Sequence, residues 1–243
     1  MTVSFAYFGC DRVDVGDWKK NPTSNPSSAN LPQVLQDLQD IANLPDKPDK
    51  VFLCGDIVAN YRNDDGTVLK GQLAALQEAI GNLSAAKSLP IVAFPGNHEL
   101  NQKKDGDKVP NLLTDTIWTD WLDKSPFSPG VWNGPTPTSD PEDKLANDQS
   151  KLNMSFVVKG VKFIVLNTDA RTTEIDEKTN ATKVAWIPAH WAAKEIATAE
   201  TNTGVNSVVI LGHRNLIDPD SVKGDSPIDP GQAGVLLNAI KAC

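Results

Sequence analysis

A chain of 243 residues, 40% hydrophobic and 22% charged, can bury roughly 70 to 75% of its unfolded surface, so a single domain with one substantial core is expected. Its net charge of −8, without a stripe of Lys or Arg, excludes the electrostatic footprint of a nucleic-acid binder. No apolar stretch approaches the ~20 residues of a membrane span, and Met1-Thr2 leads into an apolar run with no basic n-region before it, so a cytoplasmic chain without a membrane partner is expected.

In chain order, strand-like and helix-like segments alternate, which predicts an α/β fold. Val3 to Phe8 is the first expected strand, followed by a loop rich in Asn, Pro and Ser from Asp11 to Asn30. Leu31, Val34, Leu35, Leu38, Ile41 and Ala42 form a stripe of helical period with Pro32 in the first turn, which predicts an amphipathic helix from Leu31 to Leu44. A short buried strand, Val51 to Cys54, runs into Gly55-Asp56. A second helix is expected from Leu69 to Leu83, and a third strand, Pro90 to Phe94, ends at Pro95-Gly96-Asn97-His98-Glu99.

Leu100 to Ser150 reads as a loop-rich excursion of the same domain, with a short helix near Leu112 to Leu122. Its aromatic residues Trp118, Trp121, Phe127 and Trp132 either wall a cleft or pack the excursion onto the body, and packing is the favoured reading. Met154 to Val158 and Val161 to Leu166, joined by Lys159-Gly160, predict a hairpin. A helix from Ala189 to Glu200, a strand from Ser207 to Leu211 leading into Gly212-His213-Arg214, and a helix from Gln232 to Lys241 complete the pattern. The three cysteines, Cys10, Cys54 and Cys243, are unclustered and read as reduced thiols. Cys10 and Cys54 each end an apolar run, where a small buried hydrophobe is expected.

The chemistry lies in where the polar residues fall. Asp11, Asp56, Asn97-His98 and His213 each stand just past the C-terminal end of a separate predicted strand, the edge at which open α/β sheets bind ligands. Carboxylate, amide oxygen and imidazole together make a ligand set suited to divalent first-row metals.

These residues resemble the calcineurin-like metallophosphoesterases. That family carries an aspartate after its first strand, Gly-Asp after its second, Gly-Asn-His-Asp/Glu after its third, a later histidine and a final Gly-His-x-His. Gly55-Asp56, Gly96-Asn97-His98-Glu99 and Gly212-His213 match in order. Val165-Leu166-Asn167-Thr168-Asp169 and the helix near Trp191 look like the family's middle section. The resemblance implies a four-layer sandwich, two mixed β-sheets flanked by α-helices.

It further implies two divalent metal ions (Mn, Fe, Zn or Mg), or one in this form, bridged by Asp56. Asp11 would hold the first, and Asn97 and His213 the second. The activity implied is hydrolysis of a phosphate mono- or diester by metal-activated water. Two cations about 3.5 to 4 Å apart can clamp the attacking and leaving oxygens. His98 would be a general acid near the leaving group, beside an acidic neighbour, with Asn97 and Arg12 as substrate contacts. The expected partner is a small phosphorylated substrate.

Two departures stand out. The family's histidine two positions after its first aspartate is Val13 here; Asp14 is a candidate replacement ligand, and Arg12 a candidate phosphate fork. No Gly-His-x-His follows His213. Gly234 to Lys241 resembles the helix before the family's last strand, so the missing ligands are expected past residue 243. The alternative expectation is a degenerate relative that acts as a binding module. His190 is expected to be an exposed residue at a helix start, and Asp169 and Arg171 are equally well explained as caps.

Overall fold

The computed structural model describes residues 2–13, 31–60, 65–104, 107–124, 127, 132–174, 185–216 and 228–242. Asp14, the loop beyond Val13 as far as Asn30, and Cys243 lie outside the described residues. The chain divides into two compact units, Ser4–Pro129 and Gly130–Cys243 with Met1–Val3.

The first unit is built on three parallel strands in the order β1 (Phe5–Phe8), β2 (Lys50–Cys54) and β3 (Ile91–Phe94). Parallel pairing requires a crossover between consecutive strands, and helices α1 (Leu31–Ala42) and α2 (Thr67–Asn82) lie within those crossovers. Helix α1 buries Leu31, Val34, Leu38 and Ala42, the stripe read from the sequence. Its other face is held by Gln33–Asp37 and Gln36–Asp40 hydrogen bonds of 2.7 Å, one helical turn apart. The central strand explains its own apolar run, since Val51, Phe52 and Leu53 are all shielded from solvent, as a parallel sheet covered on both faces demands.

After β3 come a one-turn helix α3 (Asn97–Leu100), an antiparallel pair β4 (Asn101–Lys104) and β5 (Asp107–Pro110), and helix α4 (Leu112–Lys124). Helix α4 falls where the apolar spacing predicts one. The pair β4–β5 carries no alternating apolar signal, so the sequence reads it as loop. Trp118, Trp121 and Phe127 are buried and stack in series, with ring centroids 5.0 Å and 5.6 Å apart. They pack this unit's interior, as favoured from sequence.

In the second unit β6 (Met154–Val158) and β7 (Val161–Leu166) form the expected hairpin. Lys159 and Gly160 both take positive φ in its two-residue turn, the geometry that matches strand twist. Strand β8 (Ser207–Gly212) joins β7 in parallel, so this sheet is mixed, whereas the sheet of the first unit is parallel throughout its described strands. Helices α5 (Ala189–Thr201) and α6 (Pro230–Ala242) supply Trp191, Ile196 and Leu236 to a core that includes Ile164, Leu166 and Ile187. The start of α5 is capped from a distance: Asp143 accepts the His190 and Trp191 N–H groups at 2.7 Å and 3.0 Å. Among the described residues no helix is long and apolar enough to cross a membrane.

Candidate active site

Three loops at the C-terminal edge of the first sheet make the site. They follow β1 (Gly9 to Val13), β2 (Gly55 to Val58) and β3 (Pro95 to Glu99). The first two run together as a continuation of the strand pairing: Cys10 donates to Gly55 O, Arg12 to Asp56 O and Val13 to Ile57 O at 2.7 to 2.9 Å, and Ala59 donates back to Val13 O. Gly9 makes this approach possible, because a Cβ there would stand 2.7 Å from the Cys54 carbonyl oxygen. Cys10, Arg12 and Asp56 are held at positive φ, at 65°, 48° and 50°. Non-glycine residues adopt that region only when the surroundings enforce it.

Glu99 is the brace. Its carboxylate is fully buried and accepts the N–H groups of Gly96 (2.8 Å), Asp56 (2.8 Å) and Val58 (3.0 Å). One side chain therefore ties the β3 loop to the β2 loop. Sequence reading identifies Glu99 as part of the motif but gives it no role; the signal is its place in the four-residue pattern, and the structure supplies the function. Asn60 is a second support that the sequence does not single out. It donates from Nδ2 to the carbonyls of His98 and Asn101, and its own N–H is received by Gln72 on α2.

Asp56 is completely buried and gathers the site around itself. Its Oδ1 accepts the His98 backbone N–H at 2.9 Å. Its Oδ2 accepts Nη2 of Arg12 at 3.2 Å and lies 3.6 Å from Nε2 of His98. The His98 ring is oriented from its other side, where Nδ1 meets the Ala59 carbonyl oxygen at 2.5 Å. A carbonyl only accepts, so Nδ1 carries a hydrogen and Nε2 is the nitrogen that exchanges a proton. Asn97, at 1% exposure, is buried next to His98 at the first position of α3.

Asp11 lies in the loop after β1. Burial, with the charge of Asp37 second, raises its pKa to about 6. Its Oδ2 is buried and has no hydrogen-bond partner among the described residues. Cys54 is half-buried, and burial first, then the Asp11 charge, pushes its thiol up to about 12. It is inert packing, as expected. Cys10 differs from expectation: it is exposed, because the left-handed turn after Gly9 carries it out of the apolar run.

In the second unit His213 is half-buried just beyond β8. Arg214 beside it is half-buried, with its side chain only 9% exposed, and forks onto Asp169 past the end of β7, with three contacts of 2.7 to 3.1 Å. Asp169 is thus an ion-pair partner, a role the sequence left open with capping. His190 sits at the start of α5 with its Nδ1 3.8 Å from Glu142, a helix residue as expected.

The described donors are of the kind a divalent cation takes. A buried, unsatisfied carboxylate oxygen on Asp11 is what a cation site leaves when read from protein atoms alone. Asp56 and Asn97 add hard oxygen ligands. Val13, where the resemblance implies a histidine, is 0% exposed and bridged to Val58 in the core. The positive charge of Arg12 already sits on Asp56. Among the described residues no three His, Cys, Asp or Glu side chains converge as a ready-made metal cluster.

The family model described as calcineurin-like phosphoesterase matches residues 15–229. The chain belongs to that family, whose members are phosphoesterases that generally bind divalent metals. The match begins after Asp11, Arg12 and Val13, the segment in which the first motif departs from the family pattern. No curated protein matches the chain.

Proposed function

We propose that this chain hydrolyses a small phosphate mono- or diester in a metal-dependent reaction, with His98 as the general acid. The observation that carries the reading is the pairing of His98 with Asp56: the ring is pinned through Nδ1 to Ala59, and Nε2 lies 3.6 Å from a buried carboxylate. Nε2 is thus the nitrogen placed to hold and pass a proton beside that carboxylate. That proton is what a leaving alkoxide or phenoxide needs.

Asp11, Asp56 and Asn97 would hold the cation. When bound, a divalent cation polarises the phosphoryl group and makes water a nucleophile near neutral pH. The buried Glu99 brace fixes the loops that present these groups, so they need little rearrangement when substrate arrives.

Hydrolysis of p-nitrophenyl phosphate with Mn²⁺, before and after chelation, tests the reading. Chelation should abolish turnover. His98→Asn should lower kcat by about 10²- to 10⁴-fold while leaving Mn²⁺ binding intact. Turnover that survives both treatments contradicts the proposal. The loss of a ligand at Val13 favours a second reading, a degenerate member that binds phosphorylated ligands. Metal binding without turnover would select it.

A further inference from the structure

Building on the phosphoesterase reading, we propose that the Arg12 guanidinium takes the place of the second metal ion, so that the site works with one divalent cation and grips a phosphoryl oxygen with a fixed arginine. The resemblance of the Gly55-Asp56 motif implies that Asp56 would bridge two cations. Here one of its oxygens, Oδ2, receives a guanidinium nitrogen at 3.2 Å.

The placement of Arg12 is enforced by the backbone. It lies between two hydrogen bonds to the β2 loop, Arg12 N–H to Asp56 O at 2.7 Å and Val13 N–H to Ile57 O at 2.8 Å. Its φ of 48° turns the chain so that Val13 enters the core against Val58 while Arg12 meets Asp56. A surface arginine in a solvated turn would need neither the left-handed backbone nor the buried carboxylate.

The electrostatics follow from that geometry. Asp56 is wholly removed from water, and the Arg12 side chain remains one-third exposed. One nitrogen of the guanidinium is therefore committed to the carboxylate. A second cation on the same oxygen would meet a full like charge at contact distance, in a region where screening is weak. Arginine does not lose its proton, so this positive charge persists at every working pH. A planar fork also matches two oxygens of a phosphoryl group, a shape a spherical ion lacks.

The test loads the 243-residue chain with Mn²⁺ and removes excess by dialysis. It then counts bound metal by elemental analysis and records the Mn²⁺ electron paramagnetic resonance spectrum. One ion per chain with an isolated six-line signal is expected. Titration of the loaded chain with inorganic phosphate should show affinity falling about 10- to 100-fold in Arg12→Ala, with part of it regained in Arg12→Lys. Two ions with an exchange-coupled spectrum overturn the inference, as does phosphate affinity unchanged in Arg12→Ala. The wild-type metal count decides the matter even if Arg12→Ala fails to fold. Turnover of p-nitrophenyl phosphate with two ions bound defeats the stand-in and leaves the phosphoesterase reading in place. One ion with no turnover defeats that reading instead.

Discussion

At the scale of single residues, the site depends on carboxylates whose surroundings differ. Glu99 is buried and meets three N–H donors. Hydrogen bonds to a charged acceptor are individually worth about 1.5 to 3 kcal/mol. Glu99→Gln would turn an amide NH₂ toward at least one of those donors, so a loss of about 3 kcal/mol or more is expected in urea unfolding. A loss below 1 kcal/mol would show that the brace is not essential. Asp11 presents the opposite case: its carboxylate is destabilised by burial, and its pKa rises to about 6 from the ordinary 3.8. The folded chain then holds the proton more tightly than the unfolded one. Its favourable contribution is complete below about pH 3.8 and is lost as pH climbs through about 6. In chelator, Asp11→Asn should gain on the wild type by about 3 kcal/mol between pH 4 and pH 7, from two pKa units at 1.36 kcal/mol each. A stability difference that stays flat with pH would refute this.

At the scale of elements, β7 and β8 are locked together past their ends by Arg214 and Asp169, both shielded from water. Removing one partner of such a pair leaves an uncompensated buried charge and costs about 3 to 5 kcal/mol. Arg214→Ala should therefore lower the urea midpoint of the second unit sharply. Asp169→Leu with Arg214→Leu should recover much of the loss, and failure of the double variant to exceed the single would argue against the charge explanation. Elements were also the scale at which the sequence was most informative. The stripe in α1, the apolar runs of β2 and β3 and the Lys159-Gly160 turn each carry a local periodic or steric signal. The β4–β5 pair carries none, because nothing in its composition marks alternate faces, and the Arg214–Asp169 pair joins residues 45 positions apart.

At the scale of the whole molecule, membership of the phosphoesterase family was legible from three short motifs, because the chemistry fixes residue types at strand ends. What was not legible is how the site is supported. Glu99, Asn60 and Gln72 act through hydrogen bonds to backbone that only the folded chain brings near. The sequence marks Arg12 as a candidate phosphate fork, but a guanidinium next to Asp11 in sequence gives no hint that it reaches Asp56. The net charge of −8 makes the chain a poor general attractor for phosphate. On the proposed function, recognition of an anionic substrate is local, carried by the cation and the guanidinium at the sheet edge.

The Val13–Val58 bridge makes the departure from the family hard to reverse. A histidine restored at position 13 alone would thrust an imidazole into a dry interior with no partner. Removing Arg12 alone would leave Asp56 buried and unneutralised on that side. Each single change gives a worse protein, so the two positions act as one unit: placing a histidine ligand at position 13 requires exchanging both residues and reshaping the turn that holds them.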